Sequence, residues 1–184
     1  MRSIDLAAGA APRIVATHRA CAAPAQSQTA IEYYHAGFDH YFVTTLANEI
    51  ALLDNGTLAG WARTGEQFNV FGTGMPGTAD TCRFFSESFA PKSSHFCTPY
   101  AAECATVKAN PAWQLEGVVF GLALPAPDGS CASGTAPLYR LYNDGQGAAP
   151  NHRYTTQPGV RAQMMGRGWI AEGSGIGVIG CVPP

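Results

Sequence analysis

Three histidines recur in similar surroundings: His40 in "HYFVTT", His95 in "HFCTP" and His152 in "HRYTT". Each is followed by a tryptophan (Trp61, Trp113, Trp169) and then by Thr64-Gly65, Glu116-Gly117 or Glu172-Gly173. Imidazoles and carboxylates are the groups of metal binding and of general acid–base chemistry. Three imidazoles gathered on a threefold axis would make a site for zinc or copper with one position open. Kept apart, each would bond a backbone group or the Glu of its own W-x-x-E-G stretch. His40, His95, His152, Glu116 and Glu172 are therefore the candidate catalytic residues, for ester, lactone or glycan hydrolysis. Glu116 and Glu172 lie in different stretches, so the separation of roughly 5–10 Å used by paired glycosidase carboxylates is not expected.

Flat aromatic faces are the other chemistry on offer, as stacking platforms for sugar rings. The tryptophans are expected to plug the core. Tyr34, Phe38 and Tyr142, beside loops of variable length, together with His152 and Tyr154, are the candidate ligand contacts. Other motifs fail on context. "GIGVIG" (175–180) meets the chain end instead of opening a helix, so it makes no dinucleotide site. There is no HExxH, no P-loop and no nucleophile elbow. A net charge of -2 gives no basic face for nucleic acid, and no apolar run is long enough to span a membrane.

These residues sit in a unit written three times, at about 30–79, 80–134 and 135–184, with its landmarks about 52–57 residues apart. Each copy opens with an aromatic strand, "IEYYH", "CRFFS" or "LYRLYN", followed by the histidine strand. Short helices are predicted at about 46–54, 100–108 and 158–166, ended by "DNG", "ANP" and "GRG", before the Trp strand closes the unit. Aligning the histidines leaves one extra residue between His40 and Glu49, which a β-bulge would absorb. One ββαβ-like unit cannot bury both faces of its sheet, whereas three can share a core. The expected fold is mainly β with short helices (α+β), the copies forming a pseudo-threefold, closed, trefoil-like or small propeller-like domain over 30–184. Residues 1–29 read as a disordered or linker-like tail.

Six cysteines without a CxxC pair argue against zinc-ribbon and thioredoxin-like sites. Cys82 and Cys104 bracket the second copy, and Cys131 and Cys181 the third, so these four are the expected disulfide cysteines, in an oxidising compartment.

"PLYRLYNDGQGAAPNHRYTT" and "CRFFSESFAPKSSHF" resemble the bacterial form of a repeat family of unknown function. Its units read "YRFYN…HFYTT…E…W…EG…F"; it is appended to secreted bacterial proteins and seen in some fungal ones. The resemblance covers residues 30 to 183. It implies an extracytoplasmic setting and an appendage role, and no established catalytic residues. Cys97 stands where the family has Tyr. The expectation is a secreted or periplasmic, non-catalytic binding module without a cofactor. Its partner would be a polysaccharide or other cell-surface polymer, and the family's habit of attachment implies a parent secreted enzyme as carrier. The alternatives are a small secreted hydrolase, metal-assisted through the histidines, and a purely structural appendage.

Overall fold

The computed structural model describes residues 27–184. The expected tail lies outside the described residues up to position 26, and Ser27, Gln28 and Thr29 open the first strand, paired with Phe71, Val70 and Asn69. β1 (Ser27–His35) and β2 (His40–Thr44) form a hairpin, α1 (Ala47–Asp54) follows, and β3 (Trp61–Phe71) returns to the free edge of β1. β4 (Ala79–Phe89), β5 (Lys92–Thr98), α2 (Ala101–Lys108) and β6 (Gln114–Leu122) take the same order, β6 pairing with β4. β7 (Ala136–Tyr142), β8 (His152–Thr155) and α3 (Pro158–Gly166) come next. The closing strand is then split into β9 (Ile170–Glu172) and β10 (Val178–Val182), both on β7.

One pairing, Phe71 with Gly121, joins the first two groups into a six-stranded antiparallel sheet of order β2-β1-β3-β6-β4-β5. The third group is a four-stranded sheet, and one β-bridge, Ala123–Cys181, links it to the six-stranded sheet. Among the described residues the architecture is mainly β with three short α-helices, and both sheets are open. The largest core cluster brings together Val70 of β3, Phe120 and Leu122 of β6, Leu138 of β7 and Ile179 of β10. No helix among the described residues is long and apolar enough to cross a membrane.

The W-x-x-E-G glycines have a backbone cause. Gly65, Gly117 and Gly173 have φ of +91°, +135° and +125°, where a side chain is strained. At the first two, the ladder slips: register shifts fall between Ile31 and Tyr33 opposite β3, and between Arg83 and Phe84 opposite β6. The bulge turns the neighbouring Thr64 or Glu116 out of strict alternation. At Gly173 a Cβ would lie 2.5 Å from the Val178 carbonyl oxygen.

The hairpins correct one expectation. Tyr34 faces Tyr41 as Phe85 faces His95 and Tyr142 faces His152, in ladders that run unbroken at this point. Tyr41, and not His40, therefore takes the place of His95 and His152. His40 lies one residue earlier, opposite His35, and one residue on a strand means the opposite face. The extra residue is absorbed by the register and needs no bulge between β1 and β2.

Buried arginines fasten the three groups together. Arg83 on β4 forks onto Glu49 of α1 (2.5 and 2.9 Å) and sends its Nε to Glu116 on β6 (2.7 Å). Arg140 on β7 forks onto Glu103 of α2 (2.8 and 2.9 Å), with its Nε 3.0 Å from Glu172. Between third and first groups the charges are exchanged: Glu32 on β1 receives Arg153 from β8 (2.8 and 2.9 Å), and Thr64 adds a 2.8 Å bond. Each guanidinium also covers a ring, Arg83 over Phe42, Arg140 over Phe96 and Arg153 over Tyr41, at 5.5, 5.0 and 4.1 Å.

Two disulfides, Cys82–Cys104 and Cys131–Cys181, close loops of 22 and 50 residues. In the chain-entropy treatment each contributes about 3–4 kcal/mol. Cys97 is buried and free, and burial pushes its thiol up to about 12.

Replacing Arg140 by Ala leaves two carboxylates without their partner. Because both still reach solvent, the cost should sit near the low end for a broken buried pair, about 3 kcal/mol in denaturant unfolding. Arg167→Ala, which removes an exposed pair with Asp39, should cost less than about 1 kcal/mol. Equal costs for the two would contradict the assignment of the seams to the buried arginines.

Candidate functional site

Two clefts open along the lines where the groups meet. The first, of about 270 Å³, is lined by Phe42, Leu53, Trp61, Phe85, His95 and Glu116, among others. The second, of about 230 Å³, is lined by Phe96, Val107, Trp113, Tyr142, His152 and Glu172, with Pro150. Position by position these are the same places in the fold: one wall from the hairpin and helix of the preceding group, the other from the aromatic and histidine strands of the following one. In each, the histidine lies among rings. His95 is 4.3 Å from Phe42 and 4.9 Å from Phe85; His152 is 4.8 Å from Phe96 and 5.0 Å from Tyr142, which stacks on it. Trp61 and Trp113 are half-buried at the rims, against Phe42 and Phe96.

The third seam holds the same positions, and among the described residues they are filled. Trp169 is only 4% exposed and meets Tyr41 edge-on at 5.7 Å, with Tyr34 against Tyr41 at 4.9 Å. Arg167 reaches over them to Asp39 (2.9 and 3.1 Å), and Tyr34 donates to the same carboxylate at 2.8 Å. Tryptophan as a core plug describes Trp169, whereas Trp61 and Trp113 keep a face toward the clefts.

The candidate residues divide accordingly. His95 and His152 lie beside Glu116 and Glu172, Nε2 to Oε2 at 3.6 and 3.2 Å. His40 is 1% exposed and donates from Nδ1 to the Ser93 carbonyl at 2.7 Å. The structure does not bring the three imidazoles together, and among the described residues no group of three His, Cys, Asp or Glu is placed to hold a metal ion. Tyr142 walls the second cleft, and Tyr34 holds the matching place in the filled seam. Phe38 stacks on His35 at 3.7 Å. Tyr154 is in the core, its hydroxyl donating to the Cys97 carbonyl (2.8 Å) and accepting from the Cys97 amide (2.9 Å). Glu116 and Glu172 belong to separate clefts. Among the residues not singled out from sequence are Arg83 and Arg140, although each occupies the same place in its aromatic strand, after Cys82 and Tyr139.

Burial drives the His95 imidazole down to about 3, with Arg83 adding to the effect. Burial also lowers His152 and His40, against the opposing pull of Glu172 and of the Ser93 hydrogen bond. Both cleft imidazoles are therefore neutral near pH 7. At Glu116 burial wins and raises the carboxyl despite Arg83. At Glu49, Glu103 and Glu172 burial is outweighed, by hydrogen bonds from Arg83, from Arg140 and from His152 respectively, and all three lie below the ordinary 4.5.

For a histidine whose folded pKa is depressed, the unfolded chain binds the proton first. Stability should therefore fall as pH drops below 6.5, where the unfolded imidazoles take up protons, and fall further below 4.5 as Glu49, Glu103 and Glu172 lose their charge. Urea midpoints measured from neutral pH downward should show the first decline, and His95→Asn should flatten it. A midpoint constant down to the carboxylate range, or an unchanged slope in the variant, would contradict the burial of these rings.

No curated protein and no solved structure matches the chain. A domain of unknown function, DUF5648, matches residues 15–123 and 121–179, between them most of the sequence. The chain belongs to the DUF5648 family, a domain of unknown function.

Proposed function

We propose that this chain is a secreted or periplasmic, non-catalytic module that binds a carbohydrate or another cell-surface polymer through its two clefts. The carrying observation is the recurrence of one aromatic-walled cleft, once with Trp61 and Phe85 and again with Trp113 and Tyr142. Flat rings beside a few fixed polar groups suit sugar faces. Weak sites used together gain by avidity on a polymer. The two disulfides fit an oxidising compartment, and the family's habit of attachment suggests a parent secreted enzyme as carrier.

In this reading residues 30–184 form one domain of three copies around a pseudo-threefold axis, trefoil-like or small-propeller-like in outline. Several observations support it. β3, β6 and β10 contact one another pairwise, β2 meets β8, and an Arg–Glu fork crosses each of the three seams.

Hydrolysis is the second reading, favoured by the closeness of His152 to Glu172. It asks the imidazole to exchange a proton near neutral pH and the carboxylate to be free. Burial holds both cleft imidazoles low, and Arg83 and Arg140 already occupy the carboxylates. Binding without turnover suits these features better.

The protein should be retained on one or more insoluble polysaccharides. Trp61→Ala and Tyr142→Ala should each lower retention severalfold while the circular dichroism stays native, and Met165→Ala, exposed on α3, should have no effect. Absence of retention across a broad panel of neutral and charged polysaccharides would remove the proposal.

A further inference from the structure

The two clefts are not isolated from each other. A third hollow, of about 300 Å³, lies between them, bordered by Ser86, Glu87, Ser88 and Gln114. Phe85 lines both the first cleft and this hollow, and Trp113 lines both this hollow and the second cleft. The sequence of surfaces is thus aromatic, polar, aromatic, with one shared ring at each junction. At the remaining seam the track is blocked by buried Trp169, Tyr41 and the Arg167–Asp39 pair.

Charge narrows the occupant. Behind each cleft one guanidinium faces two carboxylates, Arg83 with Glu49 and Glu116, Arg140 with Glu103 and Glu172, and of these Glu49 and Glu116 line the first cleft and Glu172 the second. Each cluster has a net negative charge and no cation to spare, and exposed Glu87 stands in the hollow between them. A polymer bearing carboxylates, sulfates or phosphates would meet an acid in both clefts and at the hollow between them and is disfavoured there. A hydroxyl-rich neutral chain has the apolar faces for the rings and the hydroxyls for Ser88, Gln114 and Glu87.

We infer that the two clefts and the hollow between them form one continuous groove that holds a single neutral, linear polysaccharide chain across the second copy. This rests on the binding reading above and adds ligand class and geometry to it. A short sugar fits either cleft alone, so two bind per protein. A chain long enough to lie across Phe85 and Trp113 engages both clefts at once, at one per protein, and the second contact is made at the high effective concentration set by the first.

Calorimetric titration with cello-, xylo-, manno- and chito-oligosaccharides, from the disaccharide upward, tests this. For a series that binds, the expected result is rising affinity with length and a change from two ligands per protein to one. Ser88→Ile narrows the hollow with an aliphatic branch at an exposed position that lines neither cleft. It should weaken the long oligosaccharide at least roughly tenfold and leave the disaccharide unchanged. Two long oligosaccharides per protein, with affinity independent of length, would overturn the groove while leaving binding at separate clefts intact. Preference for polygalacturonate or hyaluronan over every neutral series would overturn the neutral ligand. No binding to any of these probes would overturn the groove and the binding module together.

Discussion

A guanidinium held between two carboxylates is the interaction on which the rest of this fold depends. Arg83 and Arg140 are almost completely buried at their side chains, so each needs its charge answered, and each finds two partners on different elements. One partner sits on the helix of the preceding copy; the other sits on its own closing strand, just before a glycine of positive φ. Arginine suits this place because its planar fork bonds one carboxylate with two nitrogens and keeps Nε for the second. The cleft beside it is a consequence. The same Glu that answers the arginine lies against the histidine, and the ring under the guanidinium forms the opposite wall. Packing between copies and the shape of the clefts are therefore one design.

The third seam shows what happens when that design is altered. Glu32 occupies the place of Arg83 and Arg140, and the cation comes instead from Arg153, at the place held by Phe42 and Phe96. With Thr64 in place of a glutamate and Tyr41 in place of a histidine, the bulge carries no acid and the ring is larger. The seam is still bridged, but Tyr34, Tyr41, Met164 and Trp169 fill the volume left open at the other two. The departure from symmetry leaves a groove with a start and an end.

Local pattern was readable and register was not. The alternating aromatics of "CRFFS" and "LYRLYN", the stop signals after each helix and the bracketing cysteines all act over a few residues or through one covalent bond, and their elements and disulfides appear where expected. The histidines misled because sequence offers an identity to align and hairpin pairing offers a ladder. His40 and His95 share a letter, but His40 lies opposite His35 while His95 lies opposite Phe85. Thr44, Thr98 and Thr155, at the strand ends, would have given the true alignment. The arginines were visible at equivalent places in two aromatic strands, yet a charge inside a core strand gains its meaning only from partners 32 to 37 residues away. Which tryptophan is a plug and which is a platform depends on Tyr41 and Arg167, and that is a tertiary fact.

The central claim is that ligand meets the protein at the first two seams and not at the third. The chain has three tryptophans, one per seam, so three indole N–H resonances report on the three places separately. The most direct measurement follows these resonances by NMR during titration with a soluble neutral oligosaccharide. The account predicts that the Trp61 and Trp113 signals move together with added ligand while that of Trp169 stays in place. Movement of the Trp169 signal with the other two unmoved, or no movement of any, would contradict it.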